Sequence, residues 1–167
     1  AVWAAADALL RAWPEVEADT TLGQVLRANA AVLAGRHPTA LWEPDAHPVL
    51  FRLGQSLGEA GLVADAARHF TGLVADSARV LGPDHPDTLT TRGNLAFWRG
   101  EAGDVAGAAA AFEALLADDL RVLGPDHPDT LTTRHNLAWW RGEAGDAAGA
   151  VTEAVLADQL RRRGSGG

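Results

Sequence analysis

The stretch LGPDHPDTLTTRGNLAFWRGEAGDVAGA, residues 81–108, decides the fold, because it returns almost unchanged as LGPDHPDTLTTRHNLAWWRGEAGDAAGA at residues 123–150. The two copies begin 42 positions apart. They differ at three pairs of positions: Gly93/His135, Phe97/Trp139 and Val105/Ala147. Self-similarity at a fixed period of this length is typical of a repeat array, in which each unit buries its apolar face against its neighbours. The fold therefore reduces largely to the structure of one unit.

The first half of each unit predicts a connector followed by a helix. Residues 82–86 contain a glycine and two prolines, which cannot continue a helix. Asp87 or Thr88 then offers a side-chain oxygen to the exposed amides of a first turn, so we expect a helix from there to about Arg99. Its expected packing residues are Leu89, Leu95, Ala96 and Trp98.

The second half of the unit predicts a tight turn and a longer helix. In residues 100–104, a glycine can take the positive φ of a helix end and Asp104 can cap the next helix. The apolar positions that follow have the i, i+3, i+4, i+7 spacing of one helical face, with Phe112 as the anchor. They are Val105, Ala108, Ala109, Phe112, Leu115, Leu116 and Leu120. The two helices must be antiparallel.

A third, diverged copy lies upstream. Residues 58–61 repeat the GEAG of residues 100–103, Phe70 matches Phe112, and His47-Pro48 replaces the connector. The expected organisation is an irregular N-terminal helical hairpin that caps the array and four further segments. These are a degenerate repeat, a full repeat, a repeat with a shortened second helix, and a flexible tail. The five segments span residues 1–46, 47–86, 87–128, 129–163 and 164–167.

The last copy departs from the period. Its final residues align with the preceding copy at a spacing of 40 positions, so two residues are missing near Val151-Thr152. At about 100° per residue, this loss rotates the following side chains by roughly 200° around the helix axis. We expect an atypical end cap. The predicted fold is an all-α, right-handed solenoid of about eight helices in stacked antiparallel hairpins.

Composition limits the classes of function. The chain of 167 residues has no cysteine and carries a net charge of −8, and its cations are arginines only. These features exclude thiolate chemistry and argue against a nucleic-acid partner. No apolar run approaches the roughly 20 residues of a membrane-spanning helix. No Gly-x-Ser-x-Gly, His-Glu-x-x-His or phosphate-loop motif occurs, so we predict a protein that is not an enzyme and has no catalytic, cofactor or metal site.

The Asp-His-Pro-Asp connectors at residues 84–87 and 126–129 admit two interpretations. Imidazole and carboxylate groups together can bind metals or transfer protons. Carboxylates at helix starts are also an ordinary capping solution. Because the motif recurs with the repeat, we favour capping. The acidic residues of the second helices are expected on a solvated face; they are Glu113, Asp118, Asp119, Glu153 and Asp158.

Several residues of the unit carry a family resemblance. Asn94-Leu95-Ala96, Gly103-Asp104 and Ala108 follow one another at spacings that resemble the tetratricopeptide repeat (TPR). The long second helix and the LGPDHPDT connector resemble the 42-residue repeats of kinesin light chains. The pattern covers residues 47–163. The resemblance implies a protein-interaction scaffold.

The whole stretch is also similar to the TPR sensor regions at the C-termini of actinobacterial STAND and NB-ARC-type signalling ATPases. The similarity includes the N-terminal segment, with Trp13-Pro14 and residues 47–51 (HPVLF). It implies a sensor module of a larger bacterial signal-transduction protein, and we expect a cytoplasmic location. The GC-rich codon bias of the composition and the absence of methionine agree with a fragment of a longer bacterial protein.

In arrays of this family the first helices line a concave surface, which gives the predicted binding face. The resemblance implies that Asn94 and Asn136 hold the backbone of an extended peptide, since an amide both donates and accepts hydrogen bonds. The alternatives are bonds within the array for these amides, and packing between repeats for Phe97 and Trp139. The predicted partner-binding residues are Arg52, Thr90, Asn94, Phe97, Thr132, His135, Asn136 and Trp139.

The predicted ligand is a protein or peptide. Glu101 and Glu143 make the rim of the predicted face acidic, so a peptide with apolar anchors and some basic character fits best. The alternative function is self-association into a homo-oligomer, because the interface that joins repeats within one chain can also join two chains.

Overall fold

The computed structural model describes residues 1–145, and this part of the chain contains α-helices and no strand. In chain order the helices are α1 (Val2–Ala12), α2 (Thr20–Arg36), α3 (Pro48–Glu59), α4 (Val63–Val80), α5 (Pro86–Glu101), α6 (Val105–Val122) and α7 (Pro128–Glu143). The described part of the chain divides into two compact units, residues 1–91 and 92–145, and the boundary falls within α5. The predicted all-α class is confirmed for the described residues.

The predictions for the last second helix concern residues outside the described range. The contraction near Val151-Thr152, the exposed positions Glu153 and Asp158, and the tail at 164–167 all follow residue 145. The expected eighth helix belongs to the same segment. These points stay predictions.

The first unit begins with the antiparallel helices α1 and α2 and the loop that follows them. Ala6, Leu26 and Ala30 are buried where the helices pack. In the loop, Leu41 and Trp42 are 1% and 2% exposed. Burying side chains of this size contributes about 1.5–3 kcal/mol each. The loop is therefore part of the core of this unit.

Helices α3 and α4 pack through a glycine and a phenylalanine. A β-carbon at Gly54 would lie 2.6 Å from Cζ of Phe70, so the ring rests directly on the α3 backbone. Phe70 is fully buried. The matching positions of the next repeat are Ala96 and Phe112, which are each 1% exposed. The predicted role of the phenylalanines as anchors of the second helices agrees with this burial.

The diverged copy lacks one helical turn, and the turn is missing at its start. Helix α3 has 12 residues, whereas α5 and α7 have 16 each. Their last residues, Glu59, Glu101 and Glu143, keep the 42-residue period, but Pro48 precedes Pro86 by only 38 positions. A loss of four residues removes about one turn. The divergence of this copy is thus a shorter first helix.

A histidine side chain accepts a backbone hydrogen bond at the start of each of the helices α3, α5 and α7. In each case Nδ1 of the histidine accepts a hydrogen bond from the backbone N–H two residues later. The pairs are His47 with Val49 (3.1 Å), His85 with Asp87 (3.2 Å) and His127 with Asp129 (3.2 Å). The proline that follows each histidine needs no partner because it has no N–H. The His-Pro pair is therefore a helix-start signal of this array.

The prediction that Asp87 or Thr88 caps the helix through a side-chain oxygen is wrong. The Asp87 carboxylate accepts a hydrogen bond from the backbone N–H of Ala46 (2.8 Å). The Thr88 hydroxyl donates to the carbonyl of Gly82 (2.8 Å), and Thr130 donates to Gly124 in the same way. The two threonines are buried and close the connectors.

The second unit is built on α6. Asp104 accepts a hydrogen bond from the N–H of Gly107 (3.0 Å) and Gly103 has a φ of 104°, so the predicted turn and cap are confirmed. Phe112 and Leu115 are buried as expected. Leu120 was expected on the same buried face, but 38% of its surface is exposed. It lies about 80° from Phe112 around the helix axis, at the edge of the apolar stripe.

Candidate functional site

The exposed face of α7 carries three of the predicted binding residues. Thr132, His135 and Trp139 lie three and four positions apart, which places them on one side of the helix, and all three are exposed. Trp139 exposes 57% of its surface. The hydroxyl of Thr132 donates a hydrogen bond to the carbonyl of Pro128 (3.0 Å), one turn earlier in the same helix. Asn136 lies beside them and is half-buried.

The corresponding residues of α5 are less accessible. The ring of Phe97 meets those of Trp98 and Trp140 edge to face, with centroids 5.0 and 6.0 Å apart. Because Trp140 belongs to the next repeat, this geometry is the packing between repeats that was the alternative role for Phe97. Asn94 is half-buried and engaged with neighbouring groups. Equivalent positions in the two repeats, such as Phe97 and Trp139, therefore differ in their exposure to solvent.

The remaining predicted residues, Arg52 and Thr90, belong to the first unit. Thr90 is exposed and takes part in an interaction of its own. The guanidinium of Arg52 donates to the carbonyl of Pro14 (3.1 Å), to Glu17 (3.0 Å) and to Glu59 (2.9 Å). Arg52 therefore binds the segment between α1 and α2 through Pro14 and Glu17.

Glu17 is the centre of that buried network. Its carboxylate accepts hydrogen bonds from Trp13 Nε1 (2.7 Å), Arg27 (2.9 Å) and Arg52 (3.0 Å). Burial raises the pKa of Glu17, but hydrogen bonds from Ser56 and Trp13 and the charges of the two arginines outweigh it and lower the pKa below its ordinary value. The sequence pattern does not predict this network, because its members are distant in the chain and follow no repeat.

One group of side chains has the composition of a metal site. Within the described range, ligand atoms of Asp45, His85 and Asp87 lie within 4.8 Å of one another. However, Nδ1 of His85 accepts the Asp87 amide, so the proton of the neutral ring is on Nε2, which faces Asp45 at 3.5 Å. Coordination through either ring nitrogen would take away that amide bond. The geometry therefore favours the structural role of the connector over metal binding.

The acids near the end of α6 differ in environment. Asp118 pairs with Arg92 (2.7 Å) and Arg121 (3.0 Å), and hydrogen bonds from these arginines lower its pKa. Asp119 was expected on the solvated face, but it is 2% exposed, and burial raises its pKa despite a hydrogen bond from Thr133. Its Oδ1 atom has no hydrogen-bond partner. That prediction is wrong for Asp119.

A second buried ionic group lies on α7. Arg134 is 6% exposed, and its Nε and Nη1 atoms have no hydrogen-bond partner. The corresponding residue of α5, Arg92, forms the ion pair with Asp118. Neither arginine was among the residues predicted from the sequence. Their equal distance from the prolines that begin α5 and α7 could have indicated equivalent positions.

The described residues match known repeat proteins. Residues 45–120 match the tetratricopeptide repeat family profile. The chain is similar to a structure assigned as a kinesin light chain with nearly identical TPR-like repeats from Podosopora anserina, with a TM-score of 0.73 and 20% identity over 96% of this chain and 74% of that one. A single-substitution variant of that protein gives a TM-score of 0.74 at 20% identity, over 96% of this chain and 74% of that one.

A further similar structure is BtubC (BKLC) from P. vanneervenii, with a TM-score of 0.65 and 15% identity over 97% of this chain and 71% of that one. No curated protein matches the chain. At these identities the structures establish the fold, which is that of a tetratricopeptide-repeat solenoid. Among the described helices, none is long and apolar enough to cross a membrane.

Proposed function

We propose that this protein is a non-catalytic binding module that holds a segment of another protein on the exposed face of α7. We define the α7 face by Asp129, Thr132, His135, Asn136, Trp139 and Glu143. Five of these residues recur at intervals of three and four positions, which gives a continuous surface along the helix. TPR-type scaffolds commonly serve protein interactions, and the fold therefore supports this class of function.

The exposure of Trp139 is the observation that carries the proposal. A tryptophan with 57% of its surface in water is the largest apolar side chain that the described residues expose. Indole rings offer a large contact area with few rotatable bonds, so they are frequent anchors of protein interfaces. The adjacent His135, Thr132 and Asn136 add groups that both donate and accept hydrogen bonds.

Charge indicates the chemistry of the partner. Asp129 and Glu143 are exposed near the two ends of the α7 face, and the whole chain is acidic. A segment with an apolar anchor for Trp139 and flanking arginine or lysine side chains is complementary to this arrangement. In the proposal, Asn136 bonds the peptide backbone. The other predicted residues would contribute to binding only by exchanging their present contacts for contacts to a ligand. They are Arg52, Thr90, Asn94 and Phe97.

The test is selection and affinity measurement with defined peptides. Peptides selected from a random display library on the wild-type chain are synthesised and titrated against Trp139→Ala by fluorescence anisotropy. We expect at least a tenfold loss of affinity, as for an interface anchor. Leu120→Ala is the matched control, because Leu120 is an exposed apolar residue on α6. Peptides that bind Trp139→Ala as tightly as wild type would refute the proposed face.

We further propose that the module is the sensor part of a larger cytoplasmic bacterial signalling protein of the STAND type. The sequence similarity of Trp13-Pro14 and residues 47–51 to such sensor regions supports this assignment. The test is the complete open reading frame. A phosphate-loop motif, G-x-x-x-x-G-K-[S/T], upstream of Ala1 is expected. A reading frame without a nucleotide-binding domain would refute it.

A further inference from the structure

The outer face of α2 exposes apolar side chains in a row. Leu22, Val25 and Val32 are 39%, 50% and 54% exposed. They are separated by three and seven positions and therefore lie on one side of the helix. Among the described residues these are three of the seven large exposed apolar side chains, so the row is a cluster. Clusters of this kind mark interaction sites more often than scattered apolar residues do.

Val32, the last residue of this row, lines a groove between α1 and α2. The groove has a volume of about 490 Å³. Ala5, Ala8 and Leu9 form its α1 wall, and Val32 and Leu33 form its α2 wall. The small alanines on α1 permit close approach of another backbone, and neighbouring helices pack about 8–10 Å apart. The shape suits a third helix laid along the other two.

The charged side chain that lines the groove is a cation. Arg36 and the imidazole of His37 line the groove at the end of α2, and no carboxylate lines it. This composition contrasts with a chain in which 22 acidic residues outnumber 14 basic ones. A second copy of the groove would supply no carboxylate for Arg36. Charge complementarity therefore favours an acidic partner over self-association at this surface.

We propose that the groove between α1 and α2 binds an amphipathic helix of another protein, with acidic residues in the first turn of that helix. A helix that runs antiparallel to α2 places its N-terminal turn beside Arg36. Carboxylates are favoured there by the dipole of the bound helix as well as by the arginine. This surface belongs to the first unit and shares no residue with the α7 face, so it is a second interaction site.

The probes are two synthetic helical peptides of 17 residues, the length of α2. Both have leucines along one face; one has glutamates in its first turn and the other has lysines there. Binding of the labelled peptides is measured by fluorescence anisotropy. We expect the acidic peptide to bind about fivefold more tightly than the basic one, the scale of one exposed ion pair.

Two substitutions locate the site. Arg36→Glu is expected to reverse the preference between the peptides, and Val32→Glu to weaken binding of both by at least tenfold. Leu120→Glu is the matched control for a new charge at an exposed apolar position, and it should bind as wild type does. Each variant is first compared with wild type by circular dichroism, and the substituted side chains are exposed, so the fold should be retained.

Specific outcomes would overturn the proposal. It is wrong if neither peptide binds saturably, or if the preference between them is unchanged in Arg36→Glu. Light scattering provides the other check: a wild-type dimer that Val32→Glu converts to a monomer would assign the groove to a second copy of the chain. Trp139→Ala should bind both peptides as wild type does, which separates this site from the α7 face.

Discussion

Trp140 on α7 packs directly against the backbone of Gly100 on α5. A β-carbon at position 100 would lie 2.6 Å from Cζ2 of the indole, closer than any real contact between such atoms. Trp140 is 3% exposed, and its ring also meets the edge of Phe97. The first helices of two successive repeats therefore pack through a glycine on α5 and a tryptophan on α7.

Gly100→Ala should destabilise the protein. The added methyl group overlaps the indole, and forcing an extra carbon into a packed site typically costs about 1–3 kcal/mol. Urea unfolding followed by circular dichroism measures the change in free energy. The control is Gly72→Ala on α4, where nothing lies within 4 Å of the new β-carbon. That change should stabilise the helix by about 0.5–1 kcal/mol. Equal effects at both positions would contradict the packing described.

Asp119→Asn should stabilise the protein at neutral pH. Burial raises the pKa of Asp119, so the folded state holds the carboxyl proton more tightly than the unfolded state. The resulting loss of stability is absent below the ordinary unfolded pKa and grows as the pH rises through the higher folded pKa. The amide removes the buried charge, with an expected gain of about 1 kcal/mol at pH 7. Urea unfolding of both proteins, repeated at steps of about one pH unit between pH 4 and pH 8, measures the gain.

The neighbouring carboxylate gives the control for that experiment. Asp118 is paired with Arg92 and Arg121, and hydrogen bonds from them lower its pKa. Asp118→Asn should therefore destabilise at neutral pH, by no more than about 1 kcal/mol because the pair is partly exposed. If both variants shift stability in the same direction, the environments assigned to the two acids are wrong.

Periodicity predicted the elements of the fold because an apolar stripe at helical spacing, as around Phe112, has only one way to be buried. The same spacing distinguishes Asp119, which lies seven positions after Phe112 and four after Leu115 and so falls on the buried stripe, from Asp118, which lies about 100° away. The prediction of a solvated Asp119 followed its charge and not its position. Periodicity could not separate Trp98, which is half-buried, from Trp140, which is buried. Their local sequences are nearly identical, and exposure depends on neighbouring repeats.

The candidate site was harder to predict from the sequence than the fold, because the exposure of its residues depends on contacts that the repeat pattern does not specify. Asn94 and Asn136 were paired by the repeat, but whether each reaches a ligand depends on the contacts of its own helix. Arg52 was placed on the binding face by alignment, whereas its charge is engaged with Glu17 and Glu59. Those carboxylates lie in parts of the chain that the repeat pattern does not relate to it. The binding face as a whole stays a prediction.

His127→Ala should weaken the start of α7. The variant removes the Nδ1 acceptor of the Asp129 amide, and losing an N-cap typically costs about 1 kcal/mol. His127→Asn is the control, because the amide oxygen of asparagine can accept the same hydrogen bond. Amide hydrogen exchange of Asp129 and the residues after it measures the local opening. Faster exchange in the alanine variant alone is expected, and equal exchange in both variants would show that the ring does not act through Nδ1.

Glu17→Gln should destabilise the first unit in a pH-dependent way. The carboxylate is 11% exposed and pairs with Arg27 and Arg52. Its neutralisation removes the counter-charge of Arg27 and one of the two carboxylates that pair with Arg52, the other being Glu59, at an expected cost of about 2 kcal/mol at pH 7. The folded pKa of Glu17 is lowered, so its contribution is present above the ordinary unfolded pKa and is lost as the pH falls through the lower folded value. The difference between wild type and variant should therefore shrink on acidification. Glu15→Gln, two residues away and exposed, is the control and should change stability little at any pH; a difference between Glu17→Gln and wild type that persists unchanged in acid would show that the lost interaction is not ionic.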